Sequence, residues 1–76
     1  MTYEGHKNWN HWNVALWIGG DEGLYTVAMD HINRERNLDF AAQAILSDLK
    51  AADATHTPDG APYSKSTIRE AIRGLE

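Results

Sequence analysis

The chain has 76 residues, enough for one domain, and its seven basic and eleven acidic side chains give a net charge of −4. This balance argues against non-specific binding to DNA, RNA or anionic lipid, because such binding requires a basic surface. The lack of cysteine excludes disulfides and thiolate metal sites. No signal-peptide pattern opens the chain, and the longest apolar run, 14–18, is too short to span a bilayer. We therefore expect a cytoplasmic protein with no membrane contact.

The first predicted helix is the tryptophan-rich segment 9–18, with Asn8 as its N-cap and Gly19 and Gly20 ending it. On a helical wheel its apolar side chains point in nearly every direction, which is typical of a central helix covered on several sides. A buried strand is the rival interpretation of the short run 14–18. The tryptophan spacing in front of that run favours the helix.

The three tryptophans of this segment have two interpretations. Exposed indole rings could stack on bases or form a ligand cage, whereas buried rings would fill the core. Because the segment is apolar on all sides, we expect Trp12 and Trp17 to lie in the core. Trp9, nearest the chain terminus, is expected to be partly exposed.

Two amphipathic helices are predicted next. Asp21 opens the second helix, where an acidic first turn suits the positive end of the helix dipole. The predicted inner side of this helix consists of Leu24, Tyr25, Ala28, Met29 and Ile32. Asp39 is the N-cap candidate for a third helix, predicted from Phe40 to about Ala52. Its predicted inner face consists of Ala41, Ala42, Ile45, Leu46, Leu49 and Ala52.

Residues 53–63 contain Thr-Pro-Asp-Gly, a turn signal, and are predicted to form a flexible loop. Ser64 or Ser66 is predicted to cap a shorter fourth helix. Residues 1–7 are polar and are predicted to be frayed. The predicted fold class is therefore all-α, a single small domain of three packed helices plus a shorter C-terminal helix.

No group of side chains has the pattern of an active site. There is no cysteine, and no serine lies in a glycine elbow. The histidines lack the short spacings that bring metal ligands together; they are His6, His11, His31 and His56. We therefore expect no catalytic activity, no cofactor and no metal.

The segment Ser64–Arg73 is similar to the recognition helices of helix-turn-helix proteins, in which Ser, Thr and Arg reach bases and phosphates. Its candidate nucleic-acid contacts are Lys65, Arg69 and Arg73. A capped amphipathic helix explains the same residues, and a loop replaces the helix that normally precedes a recognition helix. A small DNA-binding transcriptional regulator is the alternative to the main hypothesis below.

The string Asn-Trp-Asn-His-Trp-Asn-Val-Ala-Leu-Trp-Ile at 8–18, continued by Asp-Glu-Gly-Leu-Tyr at 21–25, resembles a family of short proteins from phages, plasmids and other mobile elements. The resemblance covers residues 8–32 and is carried by the paired tryptophans and the acidic-Gly-Leu-Tyr turn. The chain departs from the family at residues 9–11, where Tyr-Glu-Thr is usual, and at Gly19-Gly20. The family supplies context for the function and no catalytic chemistry.

That resemblance implies a small acidic protein that binds and blocks a host protein, such as an anti-CRISPR or anti-restriction inhibitor. Such inhibitors often place carboxylates in basic nucleic-acid channels. The main hypothesis is therefore a stoichiometric protein-binding module directed at a host protein or complex, with its oligomeric state left open. Its candidate acidic surface consists of Asp21, Glu22, Asp30, Glu35, Asp39 and Asp48.

Overall fold

A computed structural model of the chain describes residue 6 and residues 8–75. Within these residues the chain forms α-helices and no strand, so the predicted all-α class is confirmed. The frayed start predicted for residues 1–7 lies, apart from His6, outside the described residues. The helices are α1 (Trp9–Gly20), α2 (Glu22–Arg34), α3 (Leu38–Ala51) and the shorter α4 (Lys65–Arg73).

The helices are arranged so that each one packs against the next along the chain, and α4 packs back against α1. Ile68 and Ile72 are fully buried, so α4 is an integral part of the core. Apolar side chains from all four helices meet in this core, together with Ala61 of the last loop. The largest of them are Val14, Ile18, Ile45, Leu46, Leu49, Ile68 and Ile72.

The boundary between α1 and α2 is a single residue, Asp21. α1 begins as predicted, because the Asn8 side chain accepts the backbone N–H of His11 at 3.1 Å. The predicted stop at the glycines is wrong, since α1 continues through Gly20. The backbone N–H of Asp21 donates to the Trp17 carbonyl at 2.9 Å, and its carboxylate accepts the N–H of Leu24 at 3.0 Å. One residue therefore ends α1 and caps α2, leaving no turn between them.

Helix α1 is only partly covered, so the prediction that Trp12 and Trp17 lie in the core is wrong, whereas Trp9 is partly exposed as predicted. Its fully buried apolar residues are Val14 and Ile18, which face the other helices. Trp12 and Trp17 are only half-buried, while Trp9 keeps 37% and Leu16 49% of its surface exposed. The physical reason is that α2, α4 and the loop that carries Thr57 and Asp59 cover only part of α1, so Trp9 and Leu16 stay in contact with solvent.

The inner face of α2 is narrower than its amphipathic pattern predicts. Only Ala28 and His31 are buried in this helix, and Tyr25, predicted to face inward, is 41% exposed. At 100° per residue Tyr25 lies at the edge of the stripe centred on Ala28 and His31. The outward face of α2 is therefore polar with apolar side chains along its edges.

Helix α3 begins two residues earlier than predicted, because Asn37 caps it. The Asn37 side chain accepts the backbone N–H groups of Asp39 at 2.7 Å and Phe40 at 3.3 Å. The prediction that Asp39 is the cap is therefore wrong, and Asp39 lies in the first turn. This start places Leu38 inside the helix, where it packs against the core. The predicted inner-face residue Ala52 lies beyond the helix and is exposed.

The segment between α3 and α4 lacks helix, as its turn signal predicts, and it makes specific hydrogen bonds. The Thr57 N–H donates to the Ala61 carbonyl at 2.8 Å, and the Gly60 N–H donates to the Thr57 carbonyl at 2.9 Å. Gly60 has a φ of 99°, a conformation that favours glycine. Ser64, rather than Ser66, caps α4 in a reciprocal capping box with Thr67. The flexibility expected of this loop stays a prediction.

Candidate functional site

Most carboxylates of the predicted acidic surface are engaged by neighbouring groups within the chain. Asp21 caps α2, and Asp30 forms an ion pair with Arg34 one turn away. Glu22 and Glu35 lie at opposite ends of α2, about 20 Å apart at 1.5 Å per residue. These four carboxylates therefore do not form one continuous patch.

The remaining two predicted carboxylates, Asp39 and Asp48, both lie on α3 and are held by neighbouring helices. Asp39 Oδ1 lies 2.6 Å from Nε of Arg69 on α4. Asp48 Oδ2 lies 2.6 Å from Nε2 of His31 on α2. The side chains of Asp39 and Asp48 keep 48% and 57% of their surface exposed. Both carboxylates are therefore oriented by partners and still accessible to another molecule.

An aromatic side chain lies on the outward face of α3, next to Asp39 and about 12 Å along the helix from Asp48. Phe40 is 66% exposed, the most among the exposed large apolar side chains that the structure describes. At 100° per residue Asp39 and Asp48 fall on opposite sides of the Phe40 direction. The helical spacing also aligns Phe40 with three small residues, Ala44, Ser47 and Ala51. We call these four residues, together with the carboxylates on either side of their line, the Phe40 surface: Phe40, Ala44, Ser47, Ala51, Asp39 and Asp48.

A second feature is a cleft of about 200 Å³ between α1 and α4, here called the α1–α4 cleft. The predicted nucleic-acid residues Arg69 and Arg73 both line it, whereas Lys65 does not. Together with Ser66 and Glu70, these arginines occupy one side of α4, because their spacing follows the helical repeat. The cleft is thus lined by His11, Ser66, Arg69, Glu70 and Arg73.

The buried imidazole of His11 orients the Ser66 hydroxyl at this cleft. Asn8 Oδ1 accepts the backbone N–H of His11 and also lies 3.0 Å from His11 Nδ1. Because that oxygen can only accept, Nδ1 carries the proton and Nε2 accepts from the Ser66 hydroxyl at 3.1 Å. Serine hydrolases place a carboxylate behind the histidine to stabilise its charged form, and Asn8 is uncharged. We therefore assign the contact an orienting role.

The acidic member of the cleft, Glu70, is paired with a histidine. Its Oε2 lies 2.7 Å from Nδ1 of His6, so His6 donates a hydrogen bond to the carboxylate. Both side chains are partly buried. The Glu70 carboxylate is thereby held in place by His6.

A polar network connects α1 to the loop before α4. Asn13 is buried, donates to Asp59 Oδ2 at 2.9 Å and accepts the Thr57 hydroxyl at 2.6 Å. The Trp17 indole N–H also donates to Asp59 Oδ2 at 2.9 Å. The hydrogen bond from Asn13 and, to a smaller extent, the one from Trp17 lower the pKa of Asp59 below its ordinary value. This network fixes the position of the loop and leaves its residues out of both surfaces described above.

A family of unknown function, DUF7249, matches residues 1–75 of the chain. The chain belongs to this family. No curated protein and no solved structure matches the chain. The description of the DUF7249 family names no activity.

Two further observations on this DUF7249 chain concern metal ions and membranes. No group of three or more His, Cys, Asp or Glu side chains is placed to hold a metal ion in residues 6 and 8–75. Over the same residues, no helix has the length and apolar character needed to cross a membrane. The Phe40 surface and the α1–α4 cleft are the two candidate sites of this DUF7249 chain.

Sequence reasoning found part of each feature in this DUF7249 chain and missed the rest. Asp39, Asp48, Arg69 and Arg73 were candidates from their charge alone. Phe40 was missed as a contact residue because it stands at the start of a predicted helix, where a large apolar side chain is usually assigned to packing. His11 and Ser66 are 55 residues apart, and no local pattern connects them.

Proposed function

We propose that this chain is a protein-binding module that acts by occupying a surface of its partner, and that the Phe40 surface makes the contact. The observation that carries the proposal is the exposure of Phe40, the one phenylalanine of the chain, at 66%. A large aromatic side chain removes roughly 150–250 Å² from water when a partner covers it. Aromatic residues are accordingly among the side chains enriched at protein interfaces.

The residues around Phe40 have the properties of an interface. Ala44, Ser47 and Ala51 are small, so a partner can approach the α3 backbone closely along this line. Asp39 and Asp48 supply the polar rim that surrounds the apolar centre of a typical contact. Since both carboxylates are already oriented by Arg69 and His31, a partner would not have to order them on binding. The matching surface is an apolar pocket with basic side chains beside it.

We further propose that the partner is a host protein that handles nucleic acid, such as an effector of a CRISPR or restriction system, and that inhibition is stoichiometric. Three observations support this choice: the resemblance of residues 8–32 to mobile-element proteins, the net charge of −4 and the carboxylates that flank Phe40. A nucleic-acid channel is basic, so its potential complements an acidic ligand and increases the association rate.

The test is capture of a partner from a bacterial host lysate by tagged wild-type protein and by the Phe40→Ala variant. An anchor in the centre of an interface contributes about 2 kcal/mol or more, so we expect the variant to bind roughly thirtyfold more weakly. Because Phe40 is 66% exposed, its removal should change the free energy of unfolding by less than about 0.5 kcal/mol. Titration calorimetry with the purified partner and thermal unfolding of the variant provide the two measurements.

Tyr25→Ala is the matched control for this experiment. Tyr25 is also an aromatic residue with a large exposed fraction, 41%, but it lies on α2. We expect Tyr25→Ala to bind the partner as the wild-type protein does. Equal binding by wild type and Phe40→Ala would overturn the proposed contact surface.

DNA binding by a transcriptional regulator is the second candidate function, and the placement of Lys65, Arg69 and Arg73 on the exposed side of α4 favours it. The net charge of −4 weighs against it, because a duplex presents a dense array of phosphates. Arg69 is also engaged with Asp39. The two candidates differ in the residues they need, since partner capture depends on Phe40 and DNA binding depends on the two arginines.

A further inference from the structure

The α1–α4 cleft brings together groups that the proposed protein contact does not use, apart from Arg69, which orients Asp39. Two guanidinium groups, those of Arg69 and Arg73, lie one helical turn apart at a cleft of about 200 Å³. A hydroxyl from Ser66 and an imidazole from His11 complete one wall. Guanidinium groups beside a hydroxyl donor are a combination with which proteins bind oxyanions.

Both arginines have N–H groups available to a ligand. A guanidinium carries five N–H donors, and the ion pair of Arg69 with Asp39 uses its Nε. The Nη atoms of Arg69 are left for another acceptor. Arg73 is exposed and makes no hydrogen bond or ion pair with any residue in the described part of the chain. An anion in the cleft could therefore receive hydrogen bonds from both side chains while the Arg69–Asp39 pair stays intact.

The other lining groups also define what the cleft can accept. The Ser66 hydroxyl has one proton, which it donates to His11 Nε2, and it must rotate away from that contact to donate to an incoming oxygen. The Glu70 carboxylate would repel an anion, but it receives a hydrogen bond from His6 at 2.7 Å. The region near Glu70 therefore suits a hydroxyl or another donor of the ligand more than a second negative group.

The volume of the cleft limits the ligand further. Pockets that enclose drug-sized molecules measure about 300–1,000 Å³, and this cleft is smaller, at about 200 Å³. It can enclose one compact charged group and the atoms next to it. A long polyanion would also meet Asp39 and Glu70 on either side of the arginines.

We propose that the α1–α4 cleft binds a single phosphoryl group in the form of a phosphate monoester. Arg69 and Arg73 are its cationic contacts, and Ser66 is its hydroxyl donor. A phosphoryl group offers three terminal oxygens, which matches two guanidinium forks and one hydroxyl better than the two oxygens of a carboxylate do. This site adjoins the Phe40 surface at the Arg69–Asp39 ion pair but uses different residues to bind its ligand, and it does not rest on the proposed function.

The test is a titration of ¹⁵N-labelled full-length protein with inorganic phosphate and with glycerol 3-phosphate, at ionic strength held constant with chloride. We expect saturable chemical-shift changes at the Ser66 amide and at the Arg69 and Arg73 side-chain Nε–H groups, with the monoester binding at least as tightly as inorganic phosphate. Removing a charged hydrogen-bond donor in Arg73→Gln should weaken binding roughly tenfold or more.

Lys50→Gln is the control for the loss of one positive charge. Lys50 is exposed near the end of α3, about 16 Å along the helix from Asp39 and its contact with Arg69. We expect Lys50→Gln and Phe40→Ala to bind glycerol 3-phosphate as the wild-type protein does, which separates this site from the protein contact.

Three results would overturn the proposal. The first is the absence of saturable shifts with either phosphate compound, and the second is equal binding by wild type and Arg73→Gln. The third is a short DNA duplex that binds through the same arginines more tightly than glycerol 3-phosphate does. That last result would assign the cleft to a nucleic-acid backbone and favour the regulator function.

Discussion

Asn13 is the buried polar side chain on which the position of the last loop depends. Burying an amide without partners is costly, but the Asn13 amide donates to Asp59 and accepts from Thr57. The Thr57 hydroxyl in turn accepts the Ala61 N–H at 3.0 Å, so the donors and acceptors are matched. This explains how a polar residue in the middle of an apolar segment can be almost completely buried.

The acidic member of this network makes the stability of the fold depend on pH. Hydrogen bonds from Asn13 and Trp17 lower the pKa of Asp59 in the folded state, so the charged carboxylate is favoured by folding. Its contribution is fully present above the pKa of an unfolded Asp, about 3.9, and is lost as the pH falls through the lower folded value. We expect Asp59→Asn to be less stable than wild type at neutral pH, with the difference shrinking below about pH 4.

Urea unfolding of both proteins between neutral and acidic pH checks this expectation. Asp53→Asn is a suitable control, because Asp53 is exposed and lies outside the network. A constant difference between wild type and Asp59→Asn across the whole pH range would show that the carboxylate is not favoured by folding.

Helix α1 has apolar residues on both its buried side and its exposed side. Ile18 is 1% exposed and Leu16 is 49% exposed, although the two are separated by one residue on the same helix. We expect Ile18→Ala to lower the free energy of unfolding by roughly 2–5 kcal/mol, because it removes buried methylene groups and leaves a cavity. Leu16→Ala should cost less than about 1 kcal/mol, since much of that side chain already contacts water.

Chemical denaturation of the two variants measures this contrast directly. Alanine is a good helix former at both positions, so helix propensity does not distinguish them. If Leu16→Ala were as destabilising as Ile18→Ala, α1 would be buried on all sides, as the sequence pattern alone predicts.

The caps and apolar stripes of the helices could be predicted because they depend on neighbours along the chain. Asn8 caps α1, and Ser64, one of two candidates, caps α4. The choice between Asn37 and Asp39 could not be made locally, since both can accept the same kind of hydrogen bond. The Leu38 side chain packs against the core, which is consistent with the cap at Asn37. The neighbouring residues along the chain do not indicate this contact.

The tryptophans show a second limit of local reasoning. A helical wheel records which side chains are apolar, but α2, α4 and the last loop decide which of them are covered. Trp17 and Asp59 are 42 residues apart along the chain, and the hydrogen bond between them places the indole at the loop rather than in the core. The α1–α4 cleft likewise joins residues from different helices. The Phe40 surface lies on α3 alone, but which side of α3 stays exposed depends on the packing of the other helices, so only the charged members of both could be proposed from the sequence.

At the scale of the whole molecule, the two candidate surfaces meet at one ion pair. Asp39 flanks Phe40 on α3, and its partner Arg69 lines the cleft on α4. Because α4 packs on both α1 and α3, these two surfaces lie next to each other. A 76-residue chain thus has an exposed phenylalanine and a cleft lined by two arginines on adjoining helices.

The most direct measurement for the proposed protein contact is site-specific photo-crosslinking in host cells. A photoreactive phenylalanine analogue at position 40 would lie at the centre of the proposed contact, and the same analogue at position 25 would lie on α2 as the matched control. We predict a discrete adduct between the chain and one host protein from position 40, with a much lower yield from position 25. An adduct from position 25 with none from position 40 would contradict the assignment of the contact to the Phe40 surface.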